Sequence, residues 1–82
     1  MYYRIINFTL LAPSLWAMIS QFKNNNTKGL VIIKLTDNKG IIIESFESSA
    51  LAGKNTSILI AMQSMKAQAM AKVLVEEGLE IK

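Results

Sequence analysis

The chain of 82 residues contains no cysteine and no histidine. The first absence excludes disulfides, thiolate nucleophiles and cysteine-ligated metals. The second removes the commonest general base near neutral pH and the commonest transition-metal ligand. Charge is scarce as well: charged residues make up 18% of the chain, against roughly 25% in an ordinary soluble domain. The few carboxylates are poorly placed for joint chemistry. Asp37 belongs to a turn sequence, while Glu44 and Glu47 lie three apart and would leave a strand on opposite faces. Glu76, Glu77 and Glu80 crowd the carboxyl-terminal segment. No acid–base pair or hard-metal cage is evident, so a non-enzymatic protein without cofactor or metal is expected.

Net charge is +3, from nine Lys or Arg and six Asp or Glu. Arg4 is the only arginine, and the lysines are spread along the chain without a basic tract. Nucleic-acid binders usually gather their cations on one face, so nucleic acid is a weakly supported partner; it would use Tyr2 and Tyr3 near Arg4 to stack on bases. Gly53-Lys54-Asn55-Thr56 departs from the phosphate-loop pattern, with Ser48 where a glycine is required and Asn55 where Ser or Thr follows the lysine. The Asn-X-Ser/Thr matches at Asn7, Asn25 and Asn55 have no secretion signal to give them meaning. A cytoplasmic location is expected.

Apolar residues, by contrast, are abundant at 51%. The stretch Ser57 to Val75 (SILIAMQSMKAQAMAKVLV) reads as a long helix running to about Glu77, with Gly78 as its stop and Leu79–Lys82 as a short final strand. At 100° per residue, Ile58, Met62, Met65, Ala69 and Val73 form one stripe. Ile60, Ala67, Ala71 and Leu74 form a second stripe nearly opposite. A small domain needs one apolar stripe on such a helix, so the second implies a partner.

The amino-terminal segment Tyr2 to Leu11 reads as a strand, with Tyr2, Arg4, Ile6, Phe8 and Leu10 sharing a face. Pro13 opens a helical pattern in which Leu15, Met18, Ile19 and Phe22 recur at helical spacing, closed by a loop at Asn24–Thr27. The eighteen uncharged residues from Ile5 to Phe22 also fit a membrane-associated segment, against which stand Asn7, Thr9, Pro13 and Gln21. Gly29–Thr36 and Ile41–Ser48 read as a hairpin around Asp37-Asn38-Lys39-Gly40, with Gly40 in a left-handed turn position. That turn sets Leu35 opposite Ile42 and Ile33 opposite Glu44. Val31, Ile33, Leu35, Ile42 and Phe46 then face the core, and Leu30, Ile32, Ile41 and Ile43 face outward. Glu44 would be buried, with Lys54 or Lys66 as partner. Ser48–Asn55 is a connection holding a helical turn, and Thr56 or Ser57 caps the helix that follows.

These elements predict a single α+β domain over residues 1–82, in the order β-α-β-β-α(-β). Three or four antiparallel strands pack on one long C-terminal helix, an order similar to the split β-α-β arrangement of ferredoxin-like folds. The expected function is that of a non-enzymatic protein-binding accessory, regulatory or inhibitor module, one that also self-associates as a homo-oligomer. Its composition resembles that of phage or mobile-element accessory proteins. Its interface is expected at Ile60, Ala67, Ala71 and Leu74 on the helix and at Ile32, Ile41 and Ile43 on the sheet. The alternatives are a nucleic-acid-binding module and a membrane-associated regulator anchored by residues 5–22.

Overall fold

The computed structural model describes residues 1–25 and 29–81. Four strands, β1 (Tyr2–Thr9), β2 (Leu30–Lys34), β3 (Lys39–Phe46) and β4 (Lys72–Leu79), form one antiparallel sheet in the order β2-β3-β1-β4. A short 3₁₀ turn (Pro13–Leu15) leads into α1 (Trp16–Ser20) and α2 (Phe22–Asn25) between β1 and β2; α3 (Ser49–Lys54) and α4 (Ser57–Gln68) lie between β3 and β4. Each β-α-β unit is split by a strand of the other, since β3 lies between β1 and β2 and β1 lies between β3 and β4. The α+β class and antiparallel sheet are as the sequence predicts. Of the expected Asn24–Thr27 loop, Asn24 and Asn25 close α2, whereas Asn26 and Thr27 lie outside the described residues.

Alternation builds the centre. Arg4, Ile6, Phe8 and Leu10 all point inward from β1 and its extension and are buried, as their shared parity predicts. The apolar ones among them share a core with Ile42 from β3, Leu30 from β2, Ile19 from α1, and Ile58, Met62 and Met65 from α4. The last three are spaced four and three residues apart, which puts them on one side of the helix. Met, Ala, Gln and Leu, none branched at Cβ, favour that helix intrinsically. Ser48 caps α3 by accepting a hydrogen bond from the Leu51 amide at 3.2 Å, whereas Thr56 at the start of α4 makes no side-chain cap.

Three expectations are corrected. The long helix stops at Gln68, and Lys72–Leu79 form a full strand paired with β1 from Tyr2↔Leu79 to Thr9↔Lys72. The chain reverses through Met70, which takes a left-handed φ of 58° and is largely exposed. Helix propensity favours continuation through Ala69, Met70 and Ala71, but continuation would leave β1 with an unpaired backbone edge. Val73 and Val75 instead pack on the core at strand spacing.

The hairpin register is the second correction. Ile33 pairs with Ile41, Ile32 with Ile42 and Leu30 with Glu44, a three-residue shift from the expected pairing. An odd shift turns one strand over relative to the other. Leu30 and Ile32 therefore face inward with Ile42, and Val31 and Ile33 face outward with Ile41 and Ile43. In the connecting loop the Thr36 hydroxyl accepts the Lys39 amide at 3.0 Å, and the Leu35 amide donates to the Lys39 carbonyl at 2.9 Å.

Gly40 is the third. It is a strand residue without positive φ, opposite Phe8 and Lys34. A Cβ there would lie 2.5 Å from the Trp16 ring and 2.6 Å from Phe8. Trp16 packs edge-on to Phe8, with centroids 5.4 Å apart, and its indole N–H donates to the Asp37 carbonyl at 2.6 Å. The glycine is thus required by close aromatic approach rather than by turn conformation. Gly40→Ala is expected to destabilise the domain by about 1–3 kcal/mol through overpacking, read from urea denaturation midpoints; an unchanged midpoint would contradict this packing.

Candidate protein interface

The sheet has two unlike faces. Helices cover the face of Ile6, Phe8 and Ile42. Among the described residues, the other face has no covering element. Across the strand order β2-β3-β1-β4 it presents one row of Ile33, Ile41, Asn7 and Leu74 and a second of Val31, Ile43, Ile5 and Glu76. Val31 is 49% exposed and Leu74 60% exposed, with Ile33 and Leu35 also open. Ile5, Ile41 and Ile43 are half-covered by their neighbours. Six aliphatic side chains in two adjacent rows form a contiguous patch, of the kind that marks interaction sites on small proteins.

The ends of this face differ in charge. At one end Thr9 is flanked by Lys39 on β3 and Lys72 on β4. These residues border a shallow depression of about 290 Å³ that also contacts Asn7, Leu35 and Leu74. Toward the other end lie Glu76 and, just past β3, Glu47, both exposed. There the Tyr3 hydroxyl donates to Glu80 at 3.1 Å, an interaction that raises the Tyr3 pKa.

A polar cluster on the covered side ties the central strands together beneath the patch. Arg4 is 1% exposed. Its Nη1 lies 3.2 Å from Glu44 Oε1 and its Nε 3.0 Å from Glu77 Oε2, so it bridges its partners on both neighbouring strands. Nη1 also donates to the Asn55 carbonyl at 2.9 Å and Nη2 to the Ala52 carbonyl at 2.6 Å, at the carboxyl end of α3. A cation is favoured there by the free carbonyls of the last turn. The guanidinium stacks over Phe46 at 5.1 Å. Glu44 is buried as the sequence suggests, but its partner is Arg4 rather than Lys54 or Lys66. With its donors so committed, Arg4 is unavailable to a ligand. Tyr2 and Tyr3 leave β1 on opposite faces, each with its hydroxyl bound to a glutamate, so they form no joint stacking surface with it.

Burial raises the Glu44 pKa, while Arg4 opposes the shift. Glu77 is lowered, first by the Tyr2 hydroxyl at 2.8 Å and then by Arg4. The same hydrogen bond raises the Tyr2 pKa.

The residues expected at an interface separate. Ile41 and Ile43 lie on the open sheet face, and so does Leu74, though from β4 rather than from a helix. Ile32 faces the core, because the register differs from the expected one. Ala71 is 4% exposed and belongs to the core, because the chain has already turned at Met70. Ile60 and Ala67 remain exposed on α4, seven residues apart on one side of the helix. That side belongs to the helical layer, so it is not continuous with the sheet patch. Val31, Ile33 and Ile5 complete the open face beyond the residues expected there; the unbroken apolar run at Leu30–Ile33 carries the signal for the first two, since it leaves both faces of the strand apolar. Residues 5–22, the candidate membrane segment, are divided between β1 and the short helices, and among the described residues no helix is long and apolar enough to cross a membrane.

The chain matches no protein-family model and no curated protein.

Two measurements check the polar cluster. Arg4→Met strands a buried Glu44 and is expected to cost about 3–5 kcal/mol, a large part of the stability of a small domain, with partial recovery when Glu44→Leu is added. Because Glu77 is lowered in the folded state, its stabilisation is complete above the ordinary carboxyl range and fades as pH falls through the folded value. Glu44, being raised, contributes in the opposite sense, favouring the fold as it protonates. Urea midpoints followed from neutral to acid pH should therefore fall less steeply for Glu77→Gln than for the parent chain.

Proposed function

We propose that this protein is a non-enzymatic protein-binding accessory module, regulatory or inhibitory in role and cytoplasmic in location. Its docking surface is the open face of the sheet. The observation that carries this reading is the pair of aliphatic rows, Ile33–Ile41–Leu74 and Val31–Ile43–Ile5, left without a covering element among the described residues. Burying such rows against a partner supplies the free energy of association, and the charges at the two ends set its orientation.

A protein partner fits this face better than nucleic acid. Sheets that bind single-stranded nucleic acid place aromatic rings on their central strands, where bases stack. Here the middle positions on β1 and β3 are Ile5, Asn7, Ile41 and Ile43, and the ring on this face of β1, Tyr3, lies at the acidic end with its hydroxyl held by Glu80. The basic end holds two lysines, too few for a phosphate-tracking surface.

The test is affinity capture with the parent chain and with an Ile41→Lys/Ile43→Lys variant that keeps the parent circular dichroism. The captured protein is then identified and its affinity measured in purified form. Loss of at least about tenfold in affinity is expected for the variant, as for central residues of an interface. Equal binding by the variant would remove the open face from this role. Salt-sensitive retention on RNA or DNA without a protein partner would overturn the reading.

A further inference from the structure

We propose that the occupant of the open sheet face is a second copy of this chain, packed sheet to sheet about a two-fold axis that runs across the strands. This rests on the reading of that face as a protein-docking surface, and adds the identity of the partner and its orientation.

The charge pattern selects the geometry. The open face is basic at one end, through Lys39 and Lys72, and acidic toward the other, through Glu76, with the exposed Glu47 just past the end of β3. Two identical faces can meet about an axis along the strands or an axis across them. The first sets basic end on basic end and acidic on acidic. The second reverses strand direction, so that Lys72 of one copy approaches Glu76 of the other, twice by symmetry. In that arrangement the row Ile33–Ile41–Asn7–Leu74 lies near the axis and packs on its own copy. The face is therefore complementary to itself in one orientation only, which is the requirement for a closed isologous pair.

Size is the second argument. Three strands of eight residues and one of five, at about 4.8 Å spacing and about 3.4 Å rise, give a face of roughly 470 Å². A pair then buries on the order of 1,000 Å² before the relief of the side chains is counted, close to the smallest area at which specific association occurs. Such a dimer is expected to dissociate in the micromolar range rather than the nanomolar. Aligned sheet packing about 10 Å apart accommodates aliphatic side chains from both copies.

Sedimentation equilibrium of the full chain from about 1 to 500 µM tests this. A reversible monomer–dimer equilibrium is expected. Ile43→Lys should weaken it more than a hundredfold while leaving the circular dichroism unchanged. Lys72→Glu and Glu76→Lys should each weaken it several-fold, and the double exchange Lys72→Glu/Glu76→Lys should restore the parent value, because the reversed pair again matches across the axis. Failure of the double exchange to restore association would overturn the reversed orientation. A dimer indifferent to Ile43→Lys, as an edge-to-edge pairing of β4 would be, overturns the sheet-to-sheet contact. A monomer throughout the range removes the second copy. In that case binding of an anilinonaphthalene dye, lost on Ile43→Lys, leaves the docking face open for a different protein, whereas no dye binding removes the docking reading as well.

Discussion

The buried guanidinium of Arg4 is the constraint around which the rest of the structure is arranged. Burying a charge is costly unless each of its donors finds an acceptor. Here four residues from three places supply the acceptors: Glu44 on β3, Glu77 on β4, and the Ala52 and Asn55 carbonyls at the end of α3. Satisfying this one side chain fixes the register of β1 on both sides and anchors the helical connection. It also explains a buried glutamate next to the hydrophobic core. Glu44 cannot remain ionised there alone, and its pKa reflects a contest between burial and the nearby cation.

The covered face uses the inward residues of all four strands, and what remains is an outer face made of the alternate positions. In most half-exposed antiparallel sheets those positions are polar. Here Val31, Ile33, Ile41, Ile43, Ile5 and Leu74 occupy them, bounded by lysines at one end and glutamates at the other. The low overall charge of the chain is reflected in this face, which holds aliphatic side chains where such a sheet usually carries polar ones. The exposed Ile60 and Ala67 on α4 are, by comparison, an isolated pair on a helix whose buried side is already filled by Ile58, Met62 and Met65.

Where the structure departs from the local pattern, the deciding contacts lie far away in the chain. In Leu30–Ile33 four consecutive aliphatic residues give no parity signal, so the pairing partner alone decides which of them face inward. The turn residues favoured placing Gly40 in the loop, but Trp16 and Phe8, distant in sequence, need that position free of a side chain within the strand. In the last third of the chain, helix formers and β-branched residues follow each other without a break. Gly78, an apparent helix stop, lies instead within β4 beside Tyr3.

Composition and local pattern alone determined the α+β class, the strand at Tyr2 with its inward parity, the hairpin, the buried side of α4, the burial of Glu44 and the surplus of apolar surface. These depend on periodicity and content, which are local properties of the chain. Tertiary structure decided the rest: where α4 ends, which face of β2 is covered, who neutralises Glu44, and where the surplus is displayed. The covered face of β2 was settled by its register on β3, and the others by β1, because a central strand must be hydrogen-bonded along both edges and Arg4 within it must be neutralised by residues 40 and 73 positions away. No local window of sequence contains those partners.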